Sequence, residues 1–222
     1  MTLQMTKIEV RLPDKNRTST SFATCKPMAE LTCVMDNGHA REIVVPARVG
    51  RVMMAEPIGL PLDEEAAFDA IHALEGRICF TLMTELLSRR DYAIGELKAK
   101  LRSYGYRDEE IDACVERGEG LRYINDGRFA SYFIEERKRR GWGRIRIERE
   151  LKLRGVDFDD TPGYPEDFFS DDDDYERARA ILERKATPDS KAYEKLVRHL
   201  MAKGFTYAIA ARATRNRLDG QE

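Results

Sequence analysis

The sequence predicts a mainly α-helical protein built from three tandem three-helix repeats, with a small β-rich extension at the N-terminus. A frame of apolar residues ending in glycine recurs three times, and its glycines are 50 and 49 residues apart. Such regular recurrence is the signature of tandem structural repeats. The first ~60 residues differ, because β-branched and turn residues dominate there. We therefore place the extension at residues 1–62 and the repeats at residues 63–125, 126–169 and 170–222.

The composition predicts a protein without a membrane partner. Charged residues make up 35% of the 222 residues, the formal net charge is −2, and the mean hydropathy is −0.57. No run of about 18 apolar residues is present, and the first residues lack the apolar centre of a signal peptide. The four cysteines, Cys25, Cys33, Cys79 and Cys114, form no Cys-x-x-Cys pair, which is typical of reduced, buried thiols. We expect a cytoplasmic protein.

The N-terminal extension has the pattern of short strands. The segment "TKIEVRL" alternates apolar and polar residues, and "ELTCVM" leads into a turn at Asp36-Asn37-Gly38. An Asn-Gly turn between two apolar runs predicts a β-hairpin. The run "REIVVPARVGRVMM" continues the apolar character, and Pro46 within it favours an edge strand or a bulge. We assign no activity to this extension.

Each repeat contains one helix with the same frame, and we call these three the framed helices. Their segments are "LKAKLRSYGY" from Leu97, "IERELKLRGV" from Ile147 and "LVRHLMAKGF" from Leu196. In each, the first residue and a leucine four positions later share one helix face. A glycine and then an apolar residue follow, which predicts a helix that ends at a C′ glycine with the apolar residue packed behind it. The glycines are Gly105, Gly155 and Gly204.

Capping residues mark where helices begin. Asp63, Asp126, Ser170 and Thr206 each precede an apolar helical pattern, and we predict them as N-caps. Pro188 is predicted to occupy the first position of the third framed helix, where proline is favoured.

The segment "RKRRGWGRIRIERELKLRG" at residues 137–155 holds nine basic residues and two glutamates. On a helical wheel Ile147 and Leu151 face inward, whereas Arg149 and Lys152 lie on nearly the opposite side. This segment is therefore predicted to carry a basic outer surface on an ordinary repeat helix.

Part of this charge is predicted to support the helix itself. Glu148 with Lys152 and Glu150 with Arg154 are i, i+4 pairs. The cations left unpaired are Arg137, Lys138, Arg139, Arg140, Arg144, Arg146 and Arg149. This surplus predicts a surface that meets DNA phosphate or an acidic protein, and the alternative is a basic face that is only solvated.

Trp142, the only tryptophan, lies between Gly141 and Gly143 in this segment. An aromatic ring beside arginines is typical of a platform on which nucleic acid bases stack. A single tryptophan between glycines also fits a buried anchor that holds a sharp turn, and we favour the anchor.

The acidic segment "DDTPGYPEDFFSDDDDYE" has two interpretations. Its later aspartates fit the first turn of a helix capped by Ser170, where the helix dipole favours negative charge, and we favour this interpretation. The other is a metal site, or an acidic strip that mimics phosphate and occupies the basic surface. The spacing lacks the glycine and the distal glutamate of a calcium loop.

No catalytic or metal-binding motif stands out in the sequence. His39, His72 and His199 lie far apart in different predicted elements, so we predict no zinc site and no cysteine–histidine pair. The sequence also has no glycine-rich phosphate loop. We predict no cofactor, no small-molecule substrate and no enzymatic activity, since an enzyme would need titratable residues that converge in a pocket.

Four segments together resemble the RecX family of regulatory proteins. They are "ELKAKLRSYGY", "YINDGRFASYFIEER", "RGWGRIRIERELKLRGV" and "LVRHLMAKGFTYAIAARA", and the resemblance spans about residues 65–218. Its most specific positions are Asp126, Phe129-Ala130, Arg137, the Gly141-x-Gly143 pair and Glu150-Leu151 before Gly155. The resemblance implies three tandem three-helix repeats that form an elongated, curved array.

The resemblance also implies a function. It implies binding to the RecA filament on single-stranded DNA and inhibition of its ATP hydrolysis and strand exchange, which modulates recombination and DNA repair. Direct DNA binding is implied as well. Two departures limit the transfer: "RRDYAIGEL" stands where the family has an Arg-Ser pair, and the proline-rich acidic segment replaces the third helix of repeat two. We expect that helix to be short or lost.

We expect the RecA filament and the DNA phosphate backbone to meet the excess charge of the second repeat. The predicted contact residues are Arg137, Arg139, Arg140, Trp142, Arg144, Arg146, Arg149 and Lys152. The alternative function is autonomous binding of single- or double-stranded DNA without a protein partner.

Overall fold

The computed structural model describes residues 3–14, 26–158 and 161–220. The chain divides into two compact units, Met1–Ile124 and Asn125–Glu222. The first unit contains β1 (Gln4–Arg11), β2 (Met28–Met35), β3 (Ala40–Pro46), α1 (Ala47–Ala55), β4 (Leu62–Asp63), α2 (Glu64–Leu87), α3 (Ile94–Ser103) and α4 (Asp108–Gly120). The second contains α5 (Asp126–Arg139), α6 (Arg144–Leu153), α7 (Asp171–Glu183), α8 (Ala192–Ala202) and α9 (Tyr207–Asp219).

The N-terminal strands form an antiparallel sheet in the order β3-β2-β1-β4. The predicted hairpin joins β2 to β3, and Gly38 takes the positive φ of +82° that its turn requires. The Met35 N–H donates to the carbonyl of His39 at 2.8 Å, which closes the turn. Pro46 ends β3, an edge strand of this sheet, as its missing N–H predicts.

Helix α1 differs from the sequence prediction, which placed its residues in the β-rich extension. Pro46 stands at its N-cap, and Val49, Gly50 and Met53 form its buried face. Gly50 lies so close to β2 that an added Cβ would be 2.6 Å from the Cβ of Ala29. This close packing of a helix on the sheet is a tertiary contact, and the run of valines around it concealed the helical period.

The sheet and the first repeat share one hydrophobic core. Met5 and Leu31 of the sheet and Ile71, Met83 and Leu101 of the helices are fully buried members of it. Burial of one such side chain contributes roughly 1.5–3 kcal/mol to folding. The extension therefore supplies part of the core on which the first repeat packs.

Two predicted N-caps are confirmed by hydrogen bonds. The Ser170 side chain accepts from the N–H of Asp173 at 3.1 Å, and the Thr206 side chain accepts from the N–H of Ile209 at 3.4 Å. Asp63 also stands at the N-cap of α2, but its side chain makes no capping bond.

Two other helix starts differ from the prediction. Asn125, rather than Asp126, caps α5, because its side chain accepts from the N–H of Arg128 at 2.7 Å. The third framed helix begins at Ala192 and not at Pro188, and it is preceded by Lys191 with φ +51°.

The frame is confirmed in all three framed helices, α3, α6 and α8. Gly105, Gly155 and Gly204 have positive φ values of +90°, +74° and +95°. In each case the N–H after the glycine donates to the carbonyl of the frame leucine, over 3.1–3.4 Å. This is the Schellman arrangement, and it buries the residue after the glycine against that leucine.

Among the described residues, the second repeat has two helices where the first and third have three. After α6 the described residues 154–158 and 161–169 contain hydrogen-bonded turns and no α-helix, as expected. Phe158 and Tyr164 lie with ring centroids 4.8 Å apart, and Phe169 lies 6.2 Å from Tyr164. Buried Phe158 and Phe169 thus add apolar contacts in the segment that follows α6.

Some sequence predictions lie outside the described residues, namely Cys25 and the pair Asp159 and Asp160 of the acidic segment. The other cysteines, Cys33, Cys79 and Cys114, are free and buried, as predicted. Among the helices in the described ranges, none is long and apolar enough to cross a membrane.

Candidate interaction surface

The basic segment forms the end of α5, a tight turn and α6. The turn repeats the geometry of the framed helices, because Gly141 adopts φ +77°. The Gly141 N–H donates to the carbonyl of Lys138 at 2.9 Å, and the Trp142 N–H donates to that of Arg137 at 3.0 Å. The chain therefore reverses sharply and presents basic residues on both sides of the turn.

A second glycine fixes this turn against the turn that follows α8. The Gly143 N–H donates to the carbonyl of Lys203 at 2.9 Å, and the Ile145 N–H donates to that of Gly204 at 3.0 Å. A Cβ on Gly143 would overlap the backbone of Gly204. We call this contact the glycine lock, and it joins the second and third repeats backbone to backbone.

Trp142 is half-buried beside the glycine lock. Its ring lies 3.8 Å from the guanidinium carbon of Arg146 and 4.9 Å from that of Arg137. Guanidinium groups at this distance are attracted to the negative face of an indole. This position fits the anchor interpretation, and contact of Trp142 with a partner stays a prediction.

Four of the cations predicted to be unpaired have carboxylate partners, so that part of the prediction is wrong. The ion pairs are Arg137 and Arg140 with Glu136, Lys138 with Glu135, Arg144 with Glu148 and, as predicted, Arg154 with Glu150. The two glutamates of α5 lie within one turn of their partners, which explains the pairing. Within the described part of the chain, Arg139, Arg146 and Arg149 make no ion pair.

Glu148 pairs with Arg144 and Tyr164 instead of the predicted Lys152. The Arg144 Nε donates to Glu148 Oε1 at 2.6 Å, and the Tyr164 hydroxyl donates to the same oxygen. Burial, and then this bond to Glu148, raise the pKa of Tyr164, while Glu148 raises the pKa of Arg144. Glu148 therefore links Arg144 of α6 to Tyr164, which lies in the segment that replaces a third helix.

A basic groove of about 520 Å³ runs between the end of α5, α7 and the C-terminal part of α8. None of its lining residues is acidic. Its basic and histidine residues are Lys138, Arg139, Arg140, Arg177, Arg184, Lys185, His199 and Lys203. Ammonium and guanidinium groups in such a setting bind phosphate or carboxylate anions.

His199 reports the positive potential of the basic groove. Burial, and then the charges of Lys185 and Lys203, lower the pKa of its imidazole. A proton on His199 would place a charge at a partly buried position and beside two ammonium groups, and both effects disfavour it.

The structure brings only part of the predicted contact set into the basic groove. Arg139 and Arg140 line it, whereas Arg146, Arg149 and Lys152 do not. The third-repeat residues Arg184, Lys185, His199 and Lys203 were missed by the sequence analysis. The excess of basic over acidic residues in 177–222 was the signal that could have found them.

In its described part, the acidic segment forms the start of a helix, which is the interpretation we favoured. Asp171 to Asp174 form the first turn of α7 after the Ser170 cap. Asp174 is buried and paired with Arg177, and burial raises the pKa of its carboxyl. None of these aspartates lines the basic groove.

Family models match all three helical repeats. The model described as RecX, first three-helix domain, matches residues 79–117, the second three-helix domain matches 125–160, and the third matches 171–214. Among curated proteins, the chain is 34% identical over 122 residues to "Regulatory protein RecX" of Actinobacillus pleuropneumoniae serotype 5b (strain L20). That match covers 54% of this chain and 80% of the relative. The protein of the same name from Haemophilus influenzae (strain PittEE) is 31% identical over 136 residues, covering 58% and 87%.

Two solved structures share the fold. The crystal structure of RecX from Lactobacillus salivarius aligns with a TM-score of 0.56 at 20% identity, over 64% of this chain and 95% of that one. A crystal structure of regulatory protein RecX aligns with a TM-score of 0.59 at 18% identity, over 84% and 94%. At these identities the alignments support the fold alone.

Proposed function

We propose that this chain, which belongs to the RecX family of regulatory proteins, binds the RecA filament on single-stranded DNA and inhibits its ATPase and strand-exchange activities. It acts by binding and performs no catalysis. Recombination and DNA repair are the processes it then modulates.

The observation that carries the proposal is the basic groove, which gathers cations of two repeats with no carboxylate among its lining residues. A filament on DNA offers phosphates and acidic side chains, and both are ligands for this surface. Cations without an intramolecular partner give up no existing ion pair when they bind. Arg139, Arg149 and Arg184 are of this kind among the described residues, and they are the contacts we assign first.

ATP hydrolysis by the RecA of the host on single-stranded DNA tests the proposal. The wild-type protein is expected to lower the hydrolysis rate in a concentration-dependent way. The variant Arg139→Glu/Arg184→Glu is expected to raise the concentration for half inhibition at least about tenfold, because reversal turns two attractions in the groove into repulsions. Wild-type protein that leaves hydrolysis unchanged would contradict the proposal.

A matched control reverses two cations elsewhere. Arg51 and Arg89 are exposed residues of the first unit, and Arg51→Glu/Arg89→Glu changes the net charge by the same amount. This control is expected to inhibit like the wild type, and far-ultraviolet circular dichroism should show equal helicity in all three proteins. Equal loss of inhibition in both variants would assign the effect to net charge instead of to the basic groove.

Autonomous DNA binding is the second candidate function, and the same acid-free groove supports it. Each neutralised phosphate of a single strand steepens the salt dependence of binding by about 0.7 in the log–log slope. Tight binding to naked DNA with a steep slope, without inhibition of RecA, would favour this candidate. Weak binding to naked DNA beside strong binding to filaments is expected for the regulator.

A further inference from the structure

A second group of polar side chains lies in the first unit. His72 and Glu75 are three residues apart on α2 and therefore share a face of that helix. Glu110 approaches them from the first turn of α4. The structure thus brings a histidine and a glutamate of α2 beside a glutamate of α4.

The geometry of this cluster is compact. His72 Nδ1 lies 3.1 Å from Glu110 Oε1, and one ligand atom from each of the three residues lies within 4.8 Å of the others. Packing of α2 on α4 holds them there, as the 3.5 Å contact of the Cys114 and Met83 sulfur atoms shows further along the same pair of helices. The three donors are thus preorganised by the fold.

The cluster holds two carboxylates against one guanidinium, that of Arg107, which also lies 3.3 Å from His72 Nε2. Glu75 and Glu110 are only 3% and 8% exposed, and Arg107 is the one basic side chain that contacts both in the described structure. When both carboxyl groups are ionised and His72 is neutral, the cluster has a net negative charge.

One oxygen of the cluster has no donor. Glu110 Oε2 is buried and makes no hydrogen bond in the described part of the chain. A buried carboxylate oxygen without a partner costs about 1–3 kcal/mol, so a cation that reached it would be bound favourably. Arg107 does not satisfy it, although the guanidinium contacts the other oxygen of the same carboxylate.

We propose that His72, Glu75 and Glu110 form a binding site for a divalent transition-metal ion, with Zn²⁺ as the ion that suits them best. Imidazole nitrogen and carboxylate oxygen are both ligands of zinc, and three protein ligands leave the fourth position to water. The two glutamates neutralise the ion. Arg107, whose side chain is 43% exposed, turns outward to solvent when the ion enters. The bound ion then cross-links α2 to α4.

Zinc titration of the full chain tests the site. Competition with a chromophoric chelator is expected to show one bound Zn²⁺ per chain, and the ion should raise the midpoint of thermal unfolding, since it binds the folded state. His72→Ala and Glu110→Gln are each expected to weaken binding by at least about tenfold. Arg107→Ala should strengthen it, because the competing guanidinium is gone. His199→Ala, which removes a histidine of the basic groove, should bind like the wild type.

Three results would overturn the site: no stoichiometric binding by the wild type, unchanged binding in His72→Ala and Glu110→Gln, or loss of binding in His199→Ala. If Glu110→Gln fails to fold, His72→Ala carries the test, since His72 is only partly buried. Cobalt(II) adds a spectroscopic check. A thiolate charge-transfer band would place the ion on Cys79 or Cys114 and contradict the assignment, whereas visible bands without it support nitrogen and oxygen ligands.

Discussion

The first and second repeats carry the same framed helix on different surroundings. Helices α3 and α6 each span ten residues, bury two frame residues and end at a glycine with positive φ. Four positions before the first frame residue they differ, since α3 has Ala93 and α6 has Gly143. Ala93 is buried without conflict, whereas Gly143 touches the Gly204 backbone. The shared frame therefore accounts for the helix in both repeats. The residue four positions before the frame differs with the surface on which the repeat packs.

Their charges differ in the same way. On α3, Lys98 pairs with Asp112 at 2.7 Å and Arg102 pairs with Asp108 at 2.6 Å. Where α3 has Ala99, α6 carries Arg149, which is exposed and has no ion pair among the described residues. These two cations of the first repeat are thus paired with carboxylates of its own helices. Arg149 of the second repeat remains available to a partner.

Gly143→Ala gives the second repeat the residue of the first and should have the largest effect. The new Cβ would overlap the backbone of Gly204 and break the glycine lock, so we expect a loss of about 3 kcal/mol in the free energy of unfolding. Urea unfolding followed by tryptophan fluorescence measures it, because the only tryptophan lies beside the lock. Gly76→Ala in α2, where an added Cβ meets nothing within 4 Å, is the control and should be neutral or stabilising. Equal stability of the two variants would mean that the lock is not needed.

Arg144→Ile also imitates the first repeat, which has Ile94 at this position. We expect a loss of about 1–2 kcal/mol, because Glu148 loses a charged donor while partly buried. Chemical denaturation measures the change, and Arg149→Ala is the matched control with an expected change within about 0.5 kcal/mol. If the two substitutions cost the same, Arg144 has no structural role beyond that of an exposed arginine.

The reciprocal exchange Ala99→Arg/Arg149→Ala moves one cation from the second repeat to the first without changing the net charge. We expect it to weaken inhibition of RecA-dependent ATP hydrolysis about fivefold, the effect of losing one exposed ionic contact of about 1 kcal/mol. The comparison with Ala99→Arg alone separates loss of the contact from gain of a charge. Unchanged inhibition by the exchange variant would remove Arg149 from the contact surface.

The parts of this fold that depend on local sequence could be predicted, and those that depend on distant residues could not. Ser170 and Thr206 cap their helices through bonds to residues three positions away, so their identity was sufficient. Helix α1 needs Gly50 to lie against Ala29 of β2, a contact that its own sequence does not encode. The local sequence therefore predicted a β-rich run there, because it contains no sign of this contact.

The same distinction between local and distant contacts applies to the candidate interaction surface. The ion pair of Glu136 with Arg140 is an i, i+4 pair and was visible one turn upstream of the segment in which charges were counted. The basic groove, in contrast, is lined by both Arg139 and Lys203, which are more than 60 residues apart in the sequence. Spacing within one repeat could locate the charged turn but not the third-repeat residues that complete the groove.

The smallest expected effect concerns His199, which stands where the first repeat has Lys100 and the second has Glu150. Its pKa is lowered in the folded protein by burial, Lys185 and Lys203. The unfolded chain therefore takes up the proton first, and this group lowers the free energy of unfolding as the pH falls through the ordinary histidine pKa of about 6.5. The loss levels off below the folded-state pKa.

His199→Gln removes this titration. The difference in unfolding free energy between wild type and variant should be constant above about pH 7.5 and should shift against the wild type between about pH 7 and 5.5. Urea unfolding at several pH values measures it, and taking the difference cancels the contribution of Asp174, whose raised pKa acts in the opposite direction. Parallel curves for the two proteins would mean that neither burial nor the neighbouring lysines lower the pKa of His199 in the folded protein. The predicted divergence would show that His199 is harder to protonate in the folded protein than in the unfolded chain.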